Sequence, residues 1–390
     1  MQFFDYMDKK DLNEIFYIEP SKFYLDSPKQ ILSYALGATL YMPATMQNIA
    51  RDIISSKFPG LKSYVLCMED AIDDSDIQTA QENLFSVFKQ LEMAIEQKFI
   101  DLGQIPMIFI RVKDVQSFER IIENYKNLSF LSGFVFPKFS SNNGEQFFKR
   151  LRELNSAAGK VFYGLPILES REIIYIESRT SELIAIKGIL DKFCDIVLNI
   201  RIGATDLSGV YSIRREFDQT IYDIAVINSC ISNVINVFLR SDSEYVVSAP
   251  VWEYFKSGER LLKPLLRQSA FSDEMGKEGL EIRSCLINQY IDGLIKETLL
   301  DKANGLVGKT IIHPTHIPIV NGLQVVTKEE YEDAKLIVET GKRGAVKSTY
   351  NNKMNEPKPH MNWAKKILIK ASIFGVLNDG HNYTSLFKLD

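Results

Sequence analysis

The chain has 390 residues, of which 45% are hydrophobic and 25% are charged, with 46 Lys and Arg against 50 Asp and Glu. This is the composition of a globular protein, and it excludes a disordered or fibrous chain. The formal net charge of −4 argues against nucleic-acid binding through a broad basic face. The cysteines show no CxxC spacing and lie in apolar runs, so we expect buried free thiols in a reducing compartment. They are Cys67, Cys194, Cys230 and Cys285.

The sequence carries no recognisable targeting or membrane signal. Its first residues, MQFFDYMDKK, lack the basic and then apolar order of a signal peptide. No run reaches the ~18 uninterrupted apolar residues that a membrane helix needs. We therefore expect a cytoplasmic protein with no membrane and no nucleic acid as partner.

Short apolar runs alternate with longer amphipathic stretches. The runs have the length and composition of strands buried on both faces: 39–42, 64–68, 107–110, 134–136, 161–163, 196–200, 245–247 and 310–312. Helical spacing of apolar residues marks the stretches at roughly 44–57, 76–98, 117–126, 145–155, 175–190, 217–239, 278–300 and 328–339. Eight strands alternating with eight helices predict an α/β fold, a (β/α)8 TIM barrel. An open doubly wound sheet is the competing layout, but Met42-Pro43-Ala44-Thr45 is no Gly-rich phosphate turn.

Three regions are predicted. Residues 1–35 form an N-terminal arm that closes the bottom of the barrel, residues 36–340 form the barrel, and residues 341–390 form a basic C-terminal extension. This extension holds nine Lys and Arg against three acidic residues, a local net charge of +6, and residues 362–377 predict an amphipathic helix. Two interpretations of this helix stay open. It docks on the barrel or a neighbouring subunit, or it is a basic lid over an anionic ligand.

The active site of a TIM barrel is built at the carboxyl ends of its strands. Six of the eight predicted strands end at or near a charged or titratable group: Glu69 with Asp70, Arg111, Lys138, Glu169, Asp206 and His313. Burying such groups without partners is costly. A convergent set with both signs is what binding of a metal and an anion requires.

Glu169 and Asp206 are the candidate metal ligands, because they follow the neighbouring fifth and sixth strands. Two carboxylates at one rim suit Mg²⁺, whose other positions are filled by water and substrate oxygens. The alternative is that each carboxylate simply forms a salt bridge with a nearby cation, for which the sequence offers Arg111, Lys138 and Arg171.

Arg111 is the candidate clamp for a substrate carboxylate or an enolate, since its guanidinium donates two parallel hydrogen bonds. An ion pair with Glu69 is the alternative and does not exclude the clamp. Lys138 either binds the same kind of anion or neutralises Glu169. A Schiff base formed by its amine is a weaker alternative. Glu69 and Asp70 are adjacent, so in an extended segment their side chains point opposite ways.

Histidine and arginine residues near the other strand ends are weaker candidates. His313 and His316 have a spacing that would allow shared metal binding, but the neighbouring prolines oppose the helix that would align them, so zinc is not expected. Arg201, Arg214 and Arg215 flank Asp206 in sequence. An arginine-rich loop suits phosphate or carboxylate binding, and a solvated loop is the plainer explanation.

The strand ends as a set resemble a known family. The resemblance is carried by Leu40-Tyr41-Met42-Pro43, Met68-Glu69-Asp70-Ala71-Ile72, Ile110-Arg111-Val112, Phe136-Pro137-Lys138, Ile167-Leu168-Glu169-Ser170, Gly203-Ala204-Thr205-Asp206-Leu207 and Gly308-Lys309-Thr310-Ile311-Ile312-His313-Pro314. In order and spacing these segments resemble the citrate lyase beta-subunit-like branch of the HpcH/HpaI aldolase superfamily over residues 36–340. The segments 247–255 and 355–360 are similar to the subgroup found beside tellurium-resistance genes.

The resemblance implies a metal-dependent carbon–carbon lyase that cleaves or condenses a small 2-oxo acid or acyl substrate through an enolate. It implies that Glu169 and Asp206 hold Mg²⁺, with Mn²⁺ as the alternative metal. It implies that Arg111 binds the oxo-acid or enolate end, and that Glu69 and Asp70 order metal-bound water and the catalytic groups. The expected catalytic residues are Arg111, Glu69, Asp70 and Lys138. The expected substrate-binding residues are Arg111, Thr205, Arg214 and His313. Relatives of this kind form trimers or hexamers, so a homo-oligomer is expected.

The chain also departs from the family pattern. Family members open the first strand with Arg-Ser and follow its Pro with Gly, whereas this chain has Gly37-Ala38-Thr39 and Pro43-Ala44. Coenzyme A as acyl carrier is therefore an open question. Ser248-Ala249-Pro250 offers no match for an aspartate after the seventh strand, so the general acid or base is unassigned, with His360 as an outside candidate. The alternative function is a barrel that binds a ligand or a partner in a stress-response system without turnover.

Overall fold

The computed structural model describes residues 1–124, 130–255, 289–341, 344–350 and 352–387. Its centre is one sheet of eight parallel strands: β1 Ala38–Pro43, β2 Ser63–Cys67, β3 Met107–Arg111, β4 Leu131–Phe136, β5 Tyr163–Leu168, β6 Ile200–Ile202, β7 Val247–Ser248 and β8 Lys309–Ile311. Neighbouring strands follow the order β7-β6-β5-β4-β3-β2-β1-β8, and a bridge between Ala249 and Lys309 joins β7 to β8. The predicted TIM barrel is therefore confirmed.

The strands are buried on both faces, and successive side chains alternate between the barrel interior and the helices. Val65 and Phe109 belong to the apolar cluster inside the barrel, while Tyr64, Ile108 and Ile110 pack outward in the cluster that includes the helices. This alternation follows the period of two of a β-strand. It explains why the strands read as nearly continuous apolar runs.

Helices surround the barrel. The α-helices are Lys9–Ile15, Lys29–Tyr34, Ile49–Ile54, Ile77–Glu96, Val115–Asn124, Gly144–Ala158, Arg171–Ile174, Ile176–Lys192, Ala204–Gly209, Ala225–Phe238, Gln289–Ala303, Ile317–Gly322, Lys328–Thr340 and Pro357–Phe374. Short 3₁₀ turns lie at Asp74–Asp76, Leu102–Gln104, Ile221–Asp223, Pro314–His316 and Tyr383–Leu386. The part of the predicted helix 278–300 that precedes Gln289 lies outside the described residues. None of the described helices is long and apolar enough to cross a membrane.

The fifth and sixth strands differ most from their predicted positions. The run at 161–163 only approaches β5, since Val161 is 49% exposed and the strand begins at Tyr163. Gly164 and Pro166 lie within this strand, and both residue types are depleted in strands. The run at 196–200 precedes β6, which begins at Ile200.

A buried network of charges ties β8 to the helix Gln289–Ala303. Lys309 is fully buried, and its Nζ donates to Glu297 Oε1 at 2.8 Å and to Asp301 Oδ2 at 2.7 Å. Glu297 also pairs with Arg215, and Tyr222 donates its hydroxyl proton to Asp301 at 2.7 Å. Because each buried charge has opposite charges beside it, the network fixes the helix on the strand without leaving an unpaired ion.

The beginning and end of the described chain meet at the amino-terminal end of the barrel. Phe16–Ile18 and Val376–Leu377 form an antiparallel pair, and the rings of Phe3 and Phe374 lie 4.5 Å apart. These rings share an apolar cluster with the inward residues of the strands, including Phe109. The tail helix Pro357–Phe374, which carries His360, therefore lies at the end opposite to the carboxyl ends of the strands. This position favours docking over a lid.

The cysteines are only partly as expected. Cys67 and Cys230 are buried free thiols, but Cys194 is exposed, so its predicted burial is wrong. It follows the end of the helix Ile176–Lys192 in a turn on the surface, where an apolar sequence neighbourhood does not imply burial. Cys285 lies outside the described residues.

Candidate active site

A cavity of about 440 Å³ opens at the carboxyl ends of the strands. Its lining combines acidic, basic and apolar side chains from β1, β2, β3, β5, β6 and β8 and from the segments that follow them. The lining includes Tyr41, Asp70, Arg111, Glu169, Arg201, Gly203, Thr205, Asp206 and Thr310. This is the position at which a TIM barrel carries its active site.

Arg111, the last residue of β3, lies among three carboxyl groups. It pairs with Glu69, with Asp70 Oδ2 at 2.8 Å and with Glu169 Oε1 at 3.4 Å. Burial opposes its positive charge, but the negative charges of Glu169 and Glu69 raise the pKa of Arg111 above its ordinary value. The predicted ion pair with Glu69 is present, and the guanidinium is engaged by acids of its own chain.

Lys138 follows β4 and holds the same carboxyl groups from the other side. Its Nζ contacts Glu69 and lies 3.3 Å from Asp70 Oδ1. Its backbone has φ of 47°, and its N–H donates to Glu169 Oε1 at 2.8 Å. Burial opposes the charge, yet Glu69 and Asp70 raise the pKa of Lys138 above its ordinary value. The amine is therefore held as an ammonium ion, which disfavours the Schiff-base option.

Glu69 and Asp70 both face the site, so the prediction that they point opposite ways is wrong. The chain turns directly after β2, where the N–H of Ile72 donates to the carbonyl of Glu69 at 3.0 Å, and an extended pattern no longer applies. Burial raises the pKa of Glu69. For Asp70 burial acts in the same sense, but its hydrogen bond with Glu69 and the charges of Arg111 and Lys138 hold the pKa below its ordinary value.

Glu169 and Asp206 bring their carboxyl groups together. Glu169 directly follows β5 and is buried, Asp206 lies in the helix Ala204–Gly209, and both side chains line the same cavity, where each carboxyl group affects the pKa of the other. Burial, with a further contribution from the charge of Asp206, raises the pKa of Glu169 to about 7 although Arg111 acts in the opposite sense. Burial and the charge of Asp70 also raise the pKa of Asp206.

Gly203 makes this convergence sterically feasible. A Cβ at Gly203 would lie 2.0 Å from Glu169 Oε2 and 2.6 Å from Glu169 Cβ. The carboxylate thus packs directly on the backbone between β6 and the helix of Asp206. Its placement requires glycine at this position.

The residues present fit a hard dication. The described residues contain no group of three His, Cys, Asp or Glu side chains placed to hold a metal, but Mg²⁺ commonly takes only one or two carboxylates and fills its other positions with water and substrate oxygens. Glu169 and Asp206 supply two converging carboxyl groups beside an open cavity. The raised pKa of each reflects a burial and charge repulsion that a bound cation would relieve.

Of the residues predicted to bind substrate, Thr205 lines the cavity and donates to Glu253 Oε1 at 3.3 Å. His313 and Arg214 are not among the cavity's lining residues. The His313 ring stacks on Phe255, with ring centroids 4.5 Å apart. Arg214 is exposed, as expected for a solvated loop.

Sequence reasoning misplaced two other arginines. Arg215 is buried and pairs with Glu253 at 3.1 Å and with Glu297, so it belongs to the buried network and not to an open loop. Arg201 lies within β6 and lines the cavity. The signal for Arg201 was its position between Ile200 and Ile202, since a strand with outward apolar residues places the residue between them inside the barrel.

Solved structures with the same architecture are known. The chain is 16% identical to CitE from Mycobacterium tuberculosis, solved in complex with magnesium, acetoacetate and coenzyme A, with a TM-score of 0.50 over 87% of this chain and 99% of the other. It is 11% identical to a citrate lyase from Burkholderia xenovorans LB400, with a TM-score of 0.58 over 90% of this chain and 96% of the other. At such identities these likenesses concern the fold.

No curated protein matches the chain. A family model does match it, over residues 30–376, and it describes the C–C bond lyases of the TIM-barrel fold. The match spans the whole barrel, every residue of its acidic and basic cluster, and the whole tail helix Pro357–Phe374. The chain is therefore a member of the TIM-barrel C–C bond lyase family.

Proposed function

We propose that this protein is a Mg²⁺-dependent carbon–carbon lyase or aldolase that cleaves or condenses a small 2-oxo acid or acyl substrate. The observation that carries the proposal is the meeting of the Glu169 and Asp206 carboxyl groups at a cavity beside Arg111. We assign these two residues as the metal ligands. Membership of the lyase family supports the reaction class, and the magnesium in the CitE structure supports the metal.

Carbon–carbon cleavage of this type leaves negative charge on an enolate and on an oxo-acid carboxylate. A bound Mg²⁺ would act as a Lewis acid on the substrate oxygens. Arg111 holds a positive charge at the edge of the same cavity, where its hydrogens favour the developing anion. Ion pairs connect Arg111 with Glu69 and Asp70, and these two carboxylates with Lys138. We propose that these ion pairs fix the guanidinium in one orientation, so that it has to move little when the substrate reacts.

The proposal also concerns the carrier of the acyl group. The CitE structure contains acetoacetate and coenzyme A, which supports a short acyl chain carried as a thioester. We propose the small oxo acid as the common ligand and test the thioester as a second reactant. Mn²⁺ is expected to replace Mg²⁺, since both prefer oxygen ligands.

The metal assignment is tested by calorimetric titration of Mg²⁺ into the wild type, Glu169→Gln and Asp206→Asn. We expect each variant to lose at least about tenfold in affinity, because each removes one of only two carboxylate ligands. Glu172→Gln is the matched control, since Glu172 is an exposed carboxylate just after the site and its loss should leave the affinity unchanged. Wild-type affinity in both site variants would refute the metal site.

A second candidate is a barrel that binds its ligand without turnover and serves a tellurium-resistance-type stress system. The observation that favours it is the engagement of Arg111 and Lys138 by acids of the same chain, which leaves no described acid or base assigned to the enol. Pyruvate or oxaloacetate with Mg²⁺ would raise the melting temperature under both functions. Consumption of added acyl-CoA is expected only of the lyase.

We retain a homo-oligomer, trimer or hexamer, as a proposal. Ile176 and Ile184 on one surface helix are 82% and 59% exposed, and exposed aliphatic side chains of this kind suit a subunit contact. Light scattering coupled to gel filtration measures the subunit count directly. A monomer at all concentrations would contradict the proposal.

A further inference from the structure

Arg201 is a buried arginine at the floor of the cavity. It lies in the middle of β6, its side chain is directed into the barrel, and the residue is 1% exposed. Ile200 and Ile202 on either side belong to the apolar cluster that includes the helices, and Ile202 also lines the cavity. The strand therefore presents a single charged side chain to the interior.

The guanidinium extends through the interior and reaches side chains of β8 and β1. Its Nη2 donates to Thr310 Oγ1 at 2.7 Å and its Nη1 donates to Thr39 Oγ1 at 3.5 Å. Its Cζ lies 5.5 Å from the centre of the Tyr41 ring. Its Nε has no hydrogen-bond partner among the described residues. The contacts are neutral groups that hold the guanidinium in place and leave donor capacity unused.

No acidic side chain of the described chain pairs with Arg201. Burial lowers its pKa, and Tyr41 is the group that opposes this effect. Arg111, the other guanidinium among the lining residues, has three acidic partners. An uncompensated buried charge is strongly destabilising. A fold that retains one at the floor of an open cavity is therefore explained by an anion that arrives with the ligand.

We propose that Arg201 is a specificity-determining residue that binds a second anionic group of the substrate, a carboxylate, at the floor of the cavity. The ligand then has one end at Glu169 and Asp206 and its second carboxylate on Arg201. The assignment of the first end rests on the proposed function, whereas the anion site at Arg201 does not. A ligand without the second carboxylate leaves the guanidinium unpaired and is selected against.

The register of the sheet supports two separate anchoring points. Arg201 pairs with Ile167 across the ladder, and Glu169 lies two residues further along the same chain. At roughly 3.3 Å of rise per residue, the two levels are about 6.6 Å apart along the strands. A short dicarboxylate spans such a distance, because its two ends are separated by a few bonds.

The test compares two 2-hydroxy acids that differ by one carboxylate, L-malate and L-lactate. Their binding to the wild type, Arg201→Met and Arg201→Lys is measured calorimetrically, with Mg²⁺ and again with EDTA. We expect the wild type to prefer malate by about tenfold or more, as a charge-assisted pair in a buried site allows. Arg201→Met should bind both acids equally, Arg201→Lys should show a reduced preference, and lactate affinity should stay the same. Arg51→Met, which changes an exposed arginine outside the lining, should keep the wild-type preference.

Melting temperature provides a readout that does not depend on the ligand. Arg201→Met removes an unpaired buried charge and should raise the melting temperature of the ligand-free protein. Arg111→Met removes a charge that has three acidic partners and should lower it. A structural role for Arg201 predicts the opposite result, a loss of stability in Arg201→Met.

The two proposals fail separately. A wild-type protein without preference for malate, or an unchanged preference in Arg201→Met, overturns the role of Arg201 whatever Mg²⁺ does. If Arg201→Met does not fold, a full wild-type preference in Arg201→Lys overturns it equally. If Mg²⁺ changes neither affinity but the malate preference persists in EDTA and disappears in Arg201→Met, the metal proposal fails and the anion site stands.

Discussion

At the scale of single residues, Gly203 controls where the Glu169 carboxylate lies. In Gly203→Ala the new methyl group would overlap Glu169 Oε2, 2.0 Å away. We expect this variant to lose its Mg²⁺ affinity and about 2 kcal/mol of its free energy of unfolding, since the side chain must leave a packed position. Calorimetry and urea denaturation measure the two effects.

The matched control is Gly209→Ala, in the same short helix as Asp206, where no atom of the described residues lies within 4 Å of the added Cβ. It should keep both the metal affinity and the stability. Equal behaviour of the two alanine variants would show that Glu169 is not held by its contact with Gly203.

Glu169 should also make the stability depend on pH. Its pKa is raised to about 7 in the folded protein from 4.5, so between these values the folded state binds a proton that the unfolded state has released. The free energy of unfolding therefore falls as the pH rises through this window, and the loss is complete above pH 7. We expect Glu169→Gln to remove about 2 kcal/mol of this fall in metal-free buffer. Urea denaturation at pH 5 and pH 7.5 measures it. A fall of the same size in both proteins would contradict the assignment.

The convergence of most of the candidate site residues at one rim could be predicted, and the reason is topological. Glu69, Arg111, Lys138 and Glu169 each follow an apolar run, and the carboxyl ends of parallel strands meet at one rim. Arg201 is visible in the sequence, but no binding role could be assigned to it there. That role depends on the absence of an acidic partner among the described residues, and the sequence does not show which side chains face Arg201 inside the closed barrel. Arg214, His313 and the common facing of Glu69 and Asp70 depend on loop conformations, which the strand pattern does not determine.

At the scale of secondary-structure elements, the ion pairs of Lys309 decide how the helix Gln289–Ala303 sits on β8. Lys309→Met would leave Glu297 and Asp301 buried with one fewer cation. We expect a loss of about 3 kcal/mol of the free energy of unfolding. Lys296→Met, on the solvent-facing side of the same helix with 57% of its side chain exposed, should change stability by less than about 0.5 kcal/mol. Chemical denaturation of both variants distinguishes them, and equal losses would contradict the importance of the network.

The pattern of apolar residues predicts some strand boundaries and misses others. β2 and β3 were predicted nearly to the residue because each is a short apolar run with no glycine or proline, buried on both faces. β5 contains Gly164 and Pro166, so its pattern is interrupted and the prediction shifts to the preceding apolar residues. The strand exists there because its neighbours β4 and β6 supply hydrogen bonds, which is a tertiary effect.

At the scale of the whole molecule, the N-terminal segment and the tail close the lower end of the barrel together. Phe374 is fully buried against Phe3, so Phe374→Ala should cost about 3 to 4 kcal/mol of the free energy of unfolding through the cavity it leaves. Trp363→Ala on the same helix removes a ring that is 39% exposed and should cost much less. Thermal and urea denaturation measure the difference. A loss of stability in Phe374→Ala as small as that in Trp363→Ala would mean that the tail helix contributes little to the common core.

The two anchoring points that we propose, at Arg201 and at Glu169 with Asp206, have a consequence for ligand shape. Because the backbone of Arg201 lies two residues below that of Glu169 along the strands, a molecule bound at both would extend along the strands instead of lying across the mouth. Each added methylene then pushes one end away from its anchor. In a homologous series of dicarboxylates, affinity should pass through a sharp maximum at one chain length and fall on both sides of it.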